Sequence, residues 1–383
     1  MPLNALAQTY VKLVLSVGQH DSSYVDAYYG PPEWALQTRK QPLAEVLQQA
    51  EQLATQFAQL PVPDAAQQVR QVFLGKHISA LYCHIRHLMG QRQRFDEESL
   101  GLYDAVSPPV SESELAAVVA ELDYLLPGGG SVQARMVAFN KGFEIPVDRL
   151  DAVFSAAIAE SRQRTKQYID LPADENFTVE YVQNQVWSAY NWYKGNSYSL
   201  IQVNTDLPMP ISRAIDLASH EGYPGHHVFH LLTEQLLVRE KGWVEYSIFP
   251  LYSPMAFLSE GSANYGIEVV FPPAQRLAFE QSVLFPLAGL DPQRAEHYYQ
   301  VQAVVHKLSY AGNMVAQRFL DGDIDRAAAI ALLMQYALYD EKRAAQRLAF
   351  IEHNRSYVIN YNLGQDVVAR YVEAQVDSCD VDA

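Results

Sequence analysis

Residues 220–227 read His-Glu-Gly-Tyr-Pro-Gly-His-His, so histidines bracket an acidic residue at the end of an apolar stretch. A lone histidine at a helix end is usually a packing residue, but a carboxylate set among several imidazoles has the donors of a divalent-metal site and a base beside it. In the common H-E-x-x-H arrangement two histidines four residues apart share a helix face, and the glutamate next to the first reaches the metal's water. Here position 224 is proline and the second histidine stands at 226. Six residues at about 100° each would carry His226 roughly 240° around a regular helix from His220. Pro224 has no N–H to give, and Gly225 tolerates unusual dihedrals, so a local bulge can return His226 to the same side.

Two other pairings stay open. His227 shares the helical face of His220, but two turns of about 5.4 Å separate the backbones. His226 and His230 are four residues apart and form a real alternative, although Glu221 would then have no evident role. A catalytic zinc also needs a third protein ligand and an open position. Glu260, within Phe257-Leu258-Ser259-Glu260-Gly261-Ser262-Ala263-Asn264-Tyr265-Gly266-Ile267-Glu268, is the candidate.

These two segments together resemble the zinc metallopeptidases grouped as domain of unknown function 885, which look like distant relatives of the gluzincins. The family pattern runs approximately H-E-x-x-P-G-H-H and then E-G-W-A-x-Y-x-E. The first motif matches at every fixed position; in the second, Ser262 replaces tryptophan and Glu268 falls one place late. The resemblance implies one Zn2+ ion held by His220, His226 and Glu260, with Glu221 as general base. It also implies an edge strand over Tyr198 to Pro210 that lines the substrate, and a tyrosine-glycine segment, matched by Leu308-Ser309-Tyr310-Ala311-Gly312. Tyr310 is the first choice for stabilising an oxyanion. Asn204, Tyr265, Glu268 and Arg355 are candidates for holding substrate or supporting the ligands, Arg355 because a guanidinium can bind a carboxylate in bidentate fashion. His77, His84 and His87 have no acidic residue at ligand spacing and are assigned to packing.

The elements that must position these residues read as mainly α. Apolar residues recur at helical spacing over 3–19, 42–59, 65–90, 112–125, 146–168, 178–191, 210–222, 227–240, 256–268, 274–285, 292–319, 324–347 and 364–375. Ser197–Asn204 alternates apolar and polar residues after the Gly195-Asn196 turn signal and predicts a short strand. The expected architecture is a large helical fold with a cleft between lobes and that strand beside the site. The Pro127-Gly128-Gly129-Gly130 loop divides 1–126 from 131–383, as two lobes or one bilobal domain.

With 383 residues there is ample material to bury a site, and 44 acidic against 28 basic residues give a net charge of −16. That charge repels phosphate backbones, so nucleic acid is not an expected partner. Cys83 and Cys379 show no paired spacing, and no run has the length and apolarity of a leader or a membrane span. The expected chain is therefore cytoplasmic, with no membrane partner. Its expected partner is a peptide or small acyl substrate, hydrolysed by attack of water with Glu221 taking and returning the proton. Three further readings are a zinc-holding scaffold that binds a partner without activity, favoured by Ser262 and the shifted Glu268, a hydrolase of non-peptide amides or esters, and a helical ligand-binding protein without metal.

Overall fold

The computed structural model describes residues 2–61, 65–185 and 187–380, and is 67% helical, so the mainly α class holds. The first helix, Pro2–Val17, shows how the apolar spacing acts: Leu6, Tyr10, Val14 and Val17 fall on one face and are buried. Residues on both sides of Pro127–Gly130 enter one continuous buried cluster that runs from Leu6 to Leu363. Among the described residues no helix is long and apolar enough to cross a membrane. Cys83 is buried and unbridged; the side chain of Cys379 lies outside the described residues.

The helix expected over 178–191 does not form. Two strands replace it, β2 (Asn176–Val182) and β3 (Ala189–Tyr193), and both pair with β4 (Tyr198–Asn204), β2 in parallel and β3 antiparallel. In so short a stretch, apolar residues satisfy a period of 3.6 and a period of 2 almost equally, and β-branched and aromatic side chains in NFTVEYV and AYNWY tip the balance once a partner strand is present. The sheet order β2-β4-β3 makes the expected strand its centre. The edge beside the functional site is thus β3 rather than Tyr198–Pro210. A second, two-stranded sheet joins β1 (Val25–Tyr28) to β5 (Ile248–Pro250), with an irregular register between Val25 and Ala27.

Two of the long expected helices are interrupted. The 292–319 stretch becomes Ala295–His306 and Ala311–Leu320, and 324–347 becomes Arg326–Tyr336 and the start of Glu341–Asn354. At the second break Leu338 takes φ 57° and Asp340 accepts a hydrogen bond from Arg343 N at 2.8 Å. That side-chain cap satisfies an amide the new helix would leave unpaired.

Pro254–Val270 is the central helix of the site. It starts at Ser253, whose hydroxyl accepts from Ala256 N at 3.3 Å, with Pro254 pre-set for the first turn. It packs face to face on Ile359–Asp380, and the contact is backbone on backbone: a Cβ at Gly261 would lie 2.3 Å from the carbonyl oxygen of Gly364. Gly261→Ala should therefore force the two helices apart and lower stability by roughly 1–3 kcal/mol, as overpacking does. A urea midpoint unchanged from the wild type would show that these helices do not meet at Gly261.

Candidate metal centre

The His220 segment leaves regular geometry where the sequence suggests. The helix Ser212–Leu217 widens into a π turn over Ala218–Gly222, closed by Tyr223 N donating to Ala218 O at 3.2 Å. The Tyr223–Pro224 peptide is cis. The chain then folds back so far that Gly225 N donates to Ser219 O at 2.9 Å, and a new helix, His226–Leu232, begins. A Cβ on residue 225 would lie 1.9 Å from the His220 carbonyl oxygen, which only glycine avoids. This return brings the rings of His220 and His226 to 4.6 Å between centroids, nearly perpendicular at 85°.

Glu260 projects from the neighbouring helix between the two imidazoles. Its Oε2 lies 3.1 Å from His220 Nε2 and its Oε1 3.6 Å from His226 Nε2. The ligating atoms of the three residues all lie within 4.8 Å of one another. The outer face of each imidazole is held: His220 Nδ1 meets Asn264 Oδ1 at 2.8 Å and His226 Nδ1 meets Ser259 Oγ at 2.9 Å. Asn264 is oriented in turn by donating to Tyr361 O at 2.9 Å. Tyr357 donates its hydroxyl to Glu260 Oε1 at 2.6 Å, whereas the buried Oε2, close as it is to His220, has no partner in hydrogen-bonding geometry. A buried carboxylate oxygen without a donor is costly unless a cation satisfies it.

The donor set of two imidazoles and one carboxylate suits zinc, and the second nitrogens are anchored as metal-bound histidines require. Burial pushes the Glu221 carboxyl up, and Glu260 adds to that, against His220, His226 and Arg213. Burial likewise opposes ionisation of Glu260, but His226 and His220 outweigh it and hold this carboxyl far below its ordinary range. For His226 burial disfavours the charged form, yet Glu260, Glu221 and Asp26 together raise it to about 9. A ligand role requires that proton to leave when metal enters. Asp26 sits at the β1 irregularity and is hydrogen-bonded by the Tyr190 hydroxyl; burial raises it to about 6.

The other histidines face away. His227 Nδ1 meets Ser199 Oγ at 2.9 Å and its Nε2 lies 3.2 Å from Glu175, a carboxylate that also accepts from Tyr223 and Arg162. His230 is buried and stacked on Tyr193 at 5.2 Å, so the His226–His230 pair does not converge. His84 stacks on Tyr24 at 4.3 Å, and His77 bonds the carbonyl of Phe73.

Several expected site residues have other partners. The Tyr310 hydroxyl donates to Asp366 and stands outside the cluster. Arg355 donates to the buried Glu98 at 2.7 Å, an internal ion pair rather than a free clamp. Asn204 is tied to the carbonyls of Gln185 and Trp187, and Glu268 is exposed, accepting from Gln365. Tyr265 is half-buried one residue beyond Asn264, and its neighbours in charge are Glu373 and Glu268. Sequence reasoning missed Ser259, Asn264, Asp26, Tyr190, Asn191, Tyr357 and Tyr361. Asn264 was findable, since it lies one helical turn after Glu260. Asn191 donates to the Glu221 carbonyl at 2.7 Å, and nothing local marks it; the Tyr361 ring lies 6.4 Å from that of His220, and Tyr357 and Tyr361 stand in a polar, aromatic C-terminal group that the sequence shows but does not tie to the site.

No family model and no curated protein matches the chain. Among the solved structures similar to it are two, each described as a "putative lipoprotein". The one from Colwellia psychrerythraea is 15% identical, with a TM-score of 0.53, over 87% of this chain and 63% of that one. The one from Shewanella oneidensis, of unknown function, is 14% identical, with a TM-score of 0.46, over 87% of this chain and 66% of its own. The chain thus spans a little under two thirds of each, and the first likeness is one of fold.

Removing either outer contact should loosen the imidazole it orients. Asn264→Ala and Ser259→Ala are each expected to weaken divalent-metal affinity about 10- to 100-fold, read by competition with a chromophoric chelator. Affinities equal to the wild type in both variants would remove these residues from the site.

Proposed function

We propose that this chain is a zinc-dependent hydrolase that cleaves peptide bonds, as its resemblance to the domain of unknown function 885 metallopeptidases implies. The observation that carries the reading is the convergence of His220, His226 and Glu260 within 4.8 Å, with Glu260 Oε2 unsatisfied and Glu221 buried beside them. Among the described residues that group has three members, and His220, His226 and Glu260 would hold a zinc with the number of protein ligands that a catalytic ion takes. A closed structural site would call for a fourth protein ligand and would give Glu221 no task.

When bound, zinc supplies Lewis acidity toward water and toward a substrate carbonyl. The rest falls to the chain. Glu221 accepts the proton of the attacking water and delivers it to the leaving amine, and a carboxyl raised by burial is better matched to that exchange near neutrality than an exposed one. Asn191 fixes the backbone of Glu221 through its carbonyl. Tyr361 replaces Tyr310 as the phenol for a developing oxyanion: its ring is near His220 and its hydroxyl feels the charges of Glu260, Arg347, Glu221 and Arg213. β3 offers an edge beside the site along which an extended peptide can lie.

Wild-type protein should bind about one zinc per chain as measured by plasma mass spectrometry, and His226→Ala should lose it. Glu221→Gln should keep the metal and lose peptide hydrolysis by about 10²- to 10⁴-fold. Zinc-loaded wild type that cleaves nothing in a mixed peptide library would sink the peptidase reading, and wild type that binds no zinc would sink the ligand assignment as well.

A further inference from the structure

A cavity of about 310 Å³ lies between the start of the Ser212–Leu217 helix and the helices Arg326–Tyr336 and Glu341–Asn354. Apolar side chains such as Leu207, Val305, Leu308 and Leu333 line it together with three arginines, Arg213, Arg343 and Arg347. In a chain with net charge −16, arginines without acidic partners are unexpected. Most of the others here are in ion pairs, including Arg70 with Glu245, Arg162 with Glu175 and Arg355 with Glu98.

Among the described residues neither Arg343 nor Arg347 has a carboxylate within ion-pair distance. Each instead lies over an aromatic ring, Arg343 over Tyr339 at 4.7 Å and Arg347 over Phe350 at 4.9 Å. Stacking fixes the plane of a guanidinium and leaves its edge N–H groups free to donate. Arg213 is 3.6 Å from Asp216, but that carboxylate is held more closely by Arg276 at 2.9 Å. Two carboxylates also line the cavity. Asp340 caps a helix by accepting from Arg343 N, and Glu144 forms no ion pair with the three arginines.

The Ser309 carbonyl in the cavity wall accepts from Asn362 at 3.0 Å, and Arg347 lies over Phe350, whose ring is 6.2 Å from that of Tyr361. The Tyr361 ring faces His220, and the charges of both Arg347 and Arg213 act on its hydroxyl. Arg213 also acts on Glu221, from the first turn of the helix whose continuation carries His220.

Resting on the peptidase reading, we propose that this cavity receives the C-terminal residue of the substrate. Its free α-carboxylate is bound by Arg347, Arg213 and Arg343, and its apolar side chain lies against the leucines, so that the chain cuts close to a free C-terminus. The volume is at the lower end of ligand pockets, enough for one or two residues and not for a long peptide segment. A neutral C-terminal amide would leave the guanidinium donors without the charged acceptor they match.

The test separates binding from turnover. Calorimetry on zinc-loaded Glu221→Gln would compare N-acetyl-alanyl-leucine, its C-terminal amide, and N-acetyl-aspartyl-leucine amide. The free acid is expected to bind about 10- to 100-fold more tightly than either amide, the range for a hydrogen-bonded charge. Adding Arg347→Gln should abolish that preference. Arg343→Gln serves as a second variant, with circular dichroism to confirm that each is folded. Equal binding of acid and amide, or a preference that survives both substitutions, overturns the proposal while leaving a metallopeptidase without this subsite. Tight binding of the aspartyl amide would assign the arginines to an acidic side chain instead and also overturn it. Loss of hydrolysis in the wild type, by contrast, strikes the peptidase reading and not the measured preference.

Discussion

The site depends on one close approach of backbone to backbone. Two histidines six residues apart can meet on one carboxylate only if the chain between them doubles back, and the fold-back puts residue 225 against the His220 carbonyl. The widened turn at Ala218–Gly222 supplies the first extra residue, proline removes an amide that would otherwise continue the helix, and glycine leaves room for the return. Every other feature of the centre presupposes this geometry, since Glu260 reaches both imidazoles from a single point on its own helix.

That helix is held by the same device. Gly261 sits against Gly364, so the Pro254–Val270 and Ile359–Asp380 helices come together at backbone distance, and Tyr357 and Tyr361, flanking the start of the second helix, reach Glu260 and Asn264. Gly266 meets Pro224 in the same way, with a Cβ there only 2.7 Å from the proline ring. Small residues therefore fix the distance between the motif and Glu260, and the polar contacts fix rotation.

A strongly acidic chain must also keep its buried carboxylates from repelling one another. Glu98, Glu175, Glu234 and Glu245 are each buried and each matched to an arginine. Glu175 does more than balance charge: by holding Tyr223 and His227 from behind, it turns the last histidine of the motif away from Glu260 and leaves His226 to face it. Glu260 differs from these four in having two imidazoles and a phenol around it but no arginine.

By itself the sequence determined the mainly α class and the irregular turn, because each is a local property: apolar spacing, and a proline beside a glycine. Spacing alone left the His226–His230 pair open, and the set His220, His226 and Glu260 was what the family resemblance implied. The sequence also allowed Asn264 to be found, one turn from Glu260. Tertiary structure alone decided that 176–193 is two strands, since short apolar stretches take the period their partner imposes. It likewise decided which of 24 tyrosines belong to the site, sending Tyr310 to Asp366 and Tyr357 to Glu260. Arg355 and Arg347 look alike in sequence, yet one is consumed by a buried glutamate and the other lines an open cavity. A side chain's chemistry is written in its type, but its availability depends on what long-range packing places against it.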